Sequence, residues 1–283
     1  ESATESLSPQ FLVHVEENGR RYHPEPEKVS NYEHPYWAPN DEREQDRVDL
    51  SNHLWNLILP GLFLSPIRNP QSILDLGTGT GIWAIDVADE YPSAKVLGTD
   101  LSPIQPIWIP PNLKFTVDDF NHPPPGRDTI EGTWDFIHAR ELMGGVRYWP
   151  KLIEDSFQAL EAGGWLELAE WNFHFLGEDV PPILNRWAET MIKAGEKNGM
   201  TFDMCGGLER WMKERGFVNV IKTTYQVPFG RWPADRKQRL LGNWNYLRLR
   251  MDVKGHCLRP MVRFLGMDKD QTDVQIAFIE NAL

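Results

Sequence analysis

Ile73-Leu74-Asp75-Leu76-Gly77-Thr78-Gly79-Thr80-Gly81 decides how this chain of 283 residues is read. An apolar run carrying one acid passes into three alternating glycines, and an amphipathic stretch starts at Ile82. That order predicts a parallel strand, a turn clear of side chains, and a helix whose N-terminus faces a ligand. Glycine belongs where the backbone turns sharply or approaches a ligand, because a Cβ there clashes or forbids positive φ. The spacing narrows the ligand. A dinucleotide fingerprint needs Gly-x-Gly-x-x-Gly or Ala, but counting from Gly77 and Gly79 the third position falls on Ile82. A phosphate loop ends in Gly-Lys-Ser/Thr, and the chain has no such ending.

Outward from this loop, short apolar runs alternate with helical patterns, the signature of βαβ units and a parallel sheet. Strands are expected at Ser72–Leu76, Lys95–Thr99, Leu113–Val117, Trp134–His138 and Trp165–Glu170, with a sixth at Phe217–Val227. Helices are expected at Asp41–Leu59, Ile82–Glu90, Pro150–Glu161 and Leu208–Arg215. The first has Asn40 or Asp41 as cap and Val48, Leu54, Trp55 and Ile58 as its apolar face, and Pro60-Gly61 stops it. Gly163-Gly164 and Gly216 read as the stops of two others. An inserted helix near 181–198 begins at Pro181-Pro182, and helical sequence resumes over Ala234–Arg250, Cys257–Leu265 and Gln271–Leu283. Residues 1 to about 40 read as an irregular, proline-dotted arm, and Pro123-Pro124-Pro125-Gly126 as a stiff loop. Three parts follow: an arm and helical cover (1–70), a sheet core with the inserted helix (71–230), and a C-terminal helical cover (231–283). The cover is expected over the C-terminal ends of the strands, where open α/β sheets bind ligands.

Bulk properties exclude several functions. A net charge of −12 is the wrong sign for direct nucleic-acid binding, which needs a basic footprint. The charge is uneven, however: Arg210 to Arg263 hold 13 Lys/Arg against 3 Asp/Glu, a net +10 that leaves −22 elsewhere. That stretch is either a solvated helical face or a docking surface for an acidic partner. No apolar run approaches the roughly 18–20 residues a membrane crossing needs. Glu1–Ser6 lack the basic and apolar regions of a secretory signal. Without an initiator Met the start reads as trimmed. Two cysteines, Cys205 and Cys257, make a disulfide framework implausible and suggest an intracellular compartment, cytoplasm or nucleus. No clustered ligand spacing points to a metal.

The Asp-x-Gly-x-Gly-x-Gly pattern (Asp75, Gly77, Thr78, Gly79, Gly81) resembles motif I of the Rossmann-like S-adenosylmethionine (SAM) methyltransferases. The expected fold is therefore α/β, with a mostly parallel sheet, helices on both faces and a helical lid. Asp100, with Leu101 beside it, ends the second strand 19 residues after Gly81 and is placed to accept the ribose hydroxyls. The third strand runs into Asp118-Asp119-Phe120. Asp119 is expected to take the adenine amine and Phe120 to cover the ring, with Asp118 turned to solvent. His138 ends the fourth strand below the expected methyl group. It reads equally as a general base or as a ring that merely packs. Arg140 either grips a carboxylate of cofactor or substrate, or pairs with Glu141 or Glu170. Glu170 and Trp171 face the substrate side, Trp171 as a wall, while His174 reads as a surface residue.

Further segments resemble the fungal LaeA-like methyltransferases. They are Asn18-Gly19-Arg20-Arg21-Tyr22-His23, Tyr36-Trp37-Ala38-Pro39-Asn40-Asp41 with Glu44, Arg47 and His53, Asp135–Arg140, Leu160–Leu168 and Val227–Asp235. The resemblance covers about residues 18 to 283. It implies that motif I, Asp100 and Asp119 bind SAM, released as S-adenosyl-L-homocysteine, and that Tyr36 to Asp41 fold at the cofactor mouth. It also implies one of two roles. The first is a pathway enzyme methylating an oxygen or nitrogen of a small molecule or peptide. The second is a nuclear regulator bound to velvet-domain proteins. The family normally ends in a strand inserted beside the fifth. Here Glu280–Leu283 are helical sequence, so either the terminus was removed or the sixth strand lacks a neighbour.

Overall fold

The computed structural model describes residues 14–23, 36–121 and 134–283; the Pro123–Gly126 loop and most of the arm lie outside them. The described chain opens on a hairpin rather than an irregular arm. Strands β1 (Val15–Glu17) and β2 (Arg20–Tyr22) pair antiparallel around Asn18-Gly19. Both turn residues have positive φ, 54° and 75°. Asn-Gly suits the two-residue hairpin turn whose twist matches the flanking strands.

Helix α1 (Glu42–Ile58) is capped by Asp41, whose carboxylate accepts from the Glu44 N–H at 3.2 Å. Its buried face is mixed: Leu54, Trp55 and Ile58 share it with Glu44, Arg47, Ser51 and Asn52. Val48 is only half-buried.

The sheet holds β3 (Ser72–Leu76), β4 (Lys95–Asp100), β5 (Leu113–Val117), β6 (Trp134–Arg140) and β7 (Leu160–Ala169), in the order β5-β4-β3-β6-β7. Every neighbour is parallel. Alternate side chains feed two layers. Ile73 and Phe136 pack with Trp83 and Val87 of α2 (Ile82–Glu90), while Leu74, Leu76, Ile137 and Ala139 meet Trp149, Leu152 and Trp187 on the other face. Ile73, Phe136 and Ile137 are fully enclosed. Each such side chain contributes about 1.5–3 kcal/mol by leaving water.

Helices α3 (Trp149–Ala159), α4 (Pro182–Lys197) and α5 (Leu208–Arg215) match the expected positions closely. Strand β7 begins five residues early. Helix α3 stops at Ala159, and Gly163 at φ 90° sits inside an irregular pairing with β6 instead of capping the helix. The sixth strand is absent. Residues 217–227 run without strand pairing, and Val218, Ile221 and Tyr225 are exposed. The reason is the missing neighbour: among the described residues no strand lies beyond β7, and an extended segment alone gains no ladder.

Helix α6 (Arg236–Met251) packs along α1. Helix α7 (Val253–Leu258) continues into a π-helical turn at Arg259–Phe264, and α8 (Lys269–Ala282) follows. Pro260 has no N–H to give an α-helical ladder, and the Leu265 N–H reaches back five residues to its carbonyl at 3.1 Å. Among the described residues no helix is long and apolar enough to cross a membrane.

Candidate active site

After β3 the chain moves outward to β4 and β5, then returns to place β6 on the other side of β3. That reversal opens a crevice at the C-terminal ends of β3 and β6, the place where sheets of this kind bind ligands. The glycine loop fills its floor. Gly77, Gly79 and Gly81 all have positive φ (65°, 59° and 81°). A Cβ on Gly81 would also lie 2.4 Å from the Phe115 ring, so both conformation and space demand glycine there.

Asp75 supports the loop from below. It accepts from the Thr78 hydroxyl at 2.6 Å and meets His138 Nδ1 at 2.7 Å. The His138 ring is stacked on Trp83, with centroids 3.6 Å apart and planes 10° from parallel, and it is 2% exposed. His138 therefore lies beneath the loop inside the core, because odd and even positions of β6 face opposite layers and 138 falls on the α2 side.

Asp100 ties the loop to β4. One oxygen accepts the Gly79 N–H at 2.8 Å, the other the Ser102 N–H at 2.9 Å. Burial pushes its pKa up to about 6, against the N–H groups of Ser102 and Gly79 that favour the charged form. Each carboxylate oxygen has two acceptor positions, so capacity for a ligand hydroxyl remains after these bonds and the weaker one from the Leu101 N–H. Gln105 fastens the outer rim, donating to the Gly79 and Ser102 carbonyls at 2.6 and 2.9 Å.

Asp119 is buried and accepts from Asn121 through both its N–H and its side chain, at 2.9 and 3.0 Å. Asp118 is half-buried rather than fully turned to solvent. Phe120 and Tyr36 both reach Gly145, and a Cβ there would lie 3.6 Å from the Phe120 ring and 3.1 Å from the Tyr36 ring. Burial pushes the Tyr36 phenol above its usual range. The arm segment is docked by polar contacts: Asn40 donates to Ser102 Oγ at 2.8 Å, and His23 Nδ1 meets the same hydroxyl at 2.8 Å.

The far side of the crevice is built from residues just past β6 and β7. Arg140 hydrogen-bonds Asn52 and lies over the Trp55 ring, 5.8 Å from its centroid, rather than pairing with Glu141 or Glu170. Among the described residues its Nη1 is buried without a hydrogen-bond partner. Glu141, at φ 58°, accepts from the Ser51 hydroxyl and from the indole N–H groups of Trp55 and Trp171 at 2.7 and 2.8 Å. Burial opposes its ionisation, yet the charges of Arg248 and Arg47 and these hydrogen bonds hold its pKa at about 2. Glu170 accepts the N–H groups of Leu142 and Met143 at 2.7 and 3.2 Å, and burial pushes its pKa up to about 8. His174 is exposed, near Asp203.

Of the residues singled out in the sequence, the structure gathers Tyr36, the glycine loop, Asp100, Asp119, Phe120 and Arg140 around one crevice, with His138 beneath its floor. Sequence reasoning missed Glu141 as a hub and Arg248 altogether. The only local sign of Glu141 is its place beside a strand-end arginine; Arg248 comes from a helix about a hundred residues later, and no spacing announces it.

Comparison with known proteins agrees with this geometry. Residues 54–222 match the family described as methyltransferase domain. The chain is 39% identical over 282 residues to "Methyltransferase pytC" of Aspergillus terreus, covering 97% of this chain and 84% of that protein. It is 34% identical over 267 residues to "Secondary metabolism regulator laeA" of Aspergillus flavus, covering 90% and 69%. Among solved structures, one from Anabaena variabilis described as a methyltransferase of an antibiotic biosynthesis pathway superposes with a TM-score of 0.52 at 12% identity, covering 85% of this chain and 87% of that one. At that identity the likeness concerns the fold alone.

Proposed function

The chain belongs to the SAM-dependent methyltransferase-domain family, alongside fungal pytC and the laeA regulators, and we propose that it methylates an oxygen or nitrogen acceptor in secondary metabolism. The crevice fits the cofactor on its own chemistry. Bare backbone at Gly77, Thr78, Gly79 and Gly81 leads into a helix N-terminus, suited to the carboxylate of the amino-acid end. The unpartnered Nη1 of Arg140 is a second donor for that carboxylate. Asp100, beside Leu101, takes the ribose hydroxyls with its remaining acceptor positions. Asp119 receives the adenine amine, and Phe120 and Tyr36 flank the ring. When bound, the cofactor supplies an electrophilic methyl and leaves as S-adenosyl-L-homocysteine. This chain's residues align the two reactants and exclude water, which is most of what such a displacement requires. His138 holds Asp75 in place rather than touching the acceptor.

One observation carries the reading: Asp100 grips the glycine loop through Gly79, so the two ends of one nucleoside are addressed by a single rigid unit. Titration calorimetry with S-adenosyl-L-homocysteine tests it. Gly79 has φ 59°, and its Cβ direction faces Val48, so Gly79→Val is expected to weaken binding by about a hundredfold or more. Unchanged affinity overturns the assignment.

A second reading is favoured by the kinship with proteins named secondary metabolism regulators and by the exposed Arg231, Arg236, Lys237 and Arg239. In it the chain works in the nucleus, in a complex with a velvet-domain partner. Copurification of that partner in equal amount, without acceptor turnover, would favour it over the pathway enzyme.

A further inference from the structure

Four side chains form a continuous stack across the far side of the crevice. Arg140 lies over Trp55, the Trp55 and Trp171 rings are 4.9 Å apart, and Arg248 lies 4.3 Å from the Trp171 centroid. Both indoles point their N–H at one oxygen of Glu141. Arg248 is under-partnered. Among the described residues its one hydrogen bond is from Nη2 to Asn245 at 3.0 Å, and its Nε is sealed from solvent with no acceptor. Arg47 sits nearby but is taken by Glu44, bonded through Nε and Nη2 at 2.9–3.0 Å. Glu141 is the carboxylate whose charge bears most on Arg248, yet among the described residues it accepts no hydrogen bond from Arg248; its Oε2 lies 3.9 Å from Arg47. Burial pushes the Arg248 pKa down to about 10 against the opposing charge of Glu141, and with one hydrogen bond made the guanidinium keeps donors for a further anion.

The acids and the histidine of the crevice point the same way. One Glu141 oxygen accepts from three donors, each Glu170 oxygen from one backbone N–H, and His138 is paired with Asp75. Such a site suits a nucleophile that arrives already ionised and needs no proton removed.

We propose that Arg248, braced on Trp171, binds a carboxylate of the methyl acceptor, and that this carboxylate is the group methylated. The inference rests on the methyltransferase reading. A carboxylate oxygen forms the new bond to the methyl carbon, the carbon–sulfur bond breaks with its electron pair left on sulfur, and a methyl ester results with no proton released. Arg rather than Lys fits because its planar fork matches a carboxylate.

The test is calorimetry near neutral pH on protein saturated with S-adenosyl-L-homocysteine, titrated with 2-naphthoate and with methyl 2-naphthoate, equal in body but uncharged. Wild type is expected to bind the acid about tenfold or more tighter than the ester. Arg248→Gln abolishes that preference and Arg248→Lys restores part of it, both keeping their affinity for S-adenosyl-L-homocysteine. An acid that binds no better than its ester, non-binding included, or a preference that survives in Arg248→Gln, overturns the proposal. Failure of S-adenosyl-L-homocysteine itself to bind wild type would instead sink the methyltransferase reading.

Discussion

The sheet and its cover are held by different physics. In the sheet, β3 and β6 bury apolar side chains on both faces, and the partners of each strand are set by non-directional packing and a backbone ladder. The cover adds buried charge to its apolar packing. Arg20 of the hairpin donates to Asp41, the α1 cap, at 2.6 and 2.7 Å, and to Asp252, the α7 cap, at 2.8 and 2.6 Å. Asp252 is fully enclosed, and a Cβ on Gly255 would lie 2.1 Å from its carboxylate. Arg259, also fully enclosed, bonds Glu17 and the Tyr36 carbonyl and lies 3.5 Å from the Tyr22 ring centroid. The contacts to Asp252 and from Arg259 join chain segments more than two hundred residues apart. Apolar packing tolerates slippage, whereas a buried ion pair is strongly unfavourable unless both partners meet in one geometry. The lesson is a division of labour: the sheet supplies a stable platform, and the charge clamp decides where Tyr36 and α1 sit above it.

That contrast is broken most forcefully at Arg20. Arg20→Met leaves buried Asp252 with only the half-exposed Arg43, 3.3 Å away, as counter-charge among the described residues and is expected to cost about 3 kcal/mol in urea unfolding, with loss of cofactor-product binding. A shift below about 1 kcal/mol would mean the cover is held by packing after all.

His138 probes a buried polar contact inside the apolar half. His138→Leu strands the Asp75 oxygen it faces and is expected to cost about 2 kcal/mol. Because the ring is a positioning residue, the variant should keep the shape of the wild-type pH–rate profile. A limb of that profile vanishing with the imidazole would restore His138 as the base.

The smallest effect sharpens the junction between the halves. As the proposed ribose acceptor Asp100 must be a carboxylate, and its raised pKa of about 6 means that acidification would remove that acceptor. Affinity for S-adenosyl-L-homocysteine should be level above about pH 7 and fall roughly tenfold, about 1.4 kcal/mol, by one unit below that pKa. Asp100→Asn should flatten this dependence. A wild-type profile flat across the same window would show that Asp100 does not contact the ribose.

The glycine loop, α2 and the five strands were legible because each is a local pattern: alternation, a glycine triplet, a strand-end acid. The hairpin was legible too, through Asn18-Gly19, but composition around it suggested an irregular arm. The sixth strand was misread for a reason no window can detect. Phe217–Val227 has strand-like residues, yet pairing depends on a neighbour that the described chain does not provide. For the site, the floor was readable and the far wall was not. Asp100 and Asp119 follow strands at fixed offsets. Glu141 takes its partners from α1 and from beyond β7, and Arg248 arrives from α6.

Sequence alone therefore determined the platform and the cofactor class, since strand period, turn conformation and helix entry are set by neighbouring residues and steric limits on φ. Only tertiary structure decided the burial of His138, the unused hydrogen-bonding capacity of Arg248 and the seating of the cover. Those depend on desolvation and on partners distant in the chain, and burial has no value until the chain has folded.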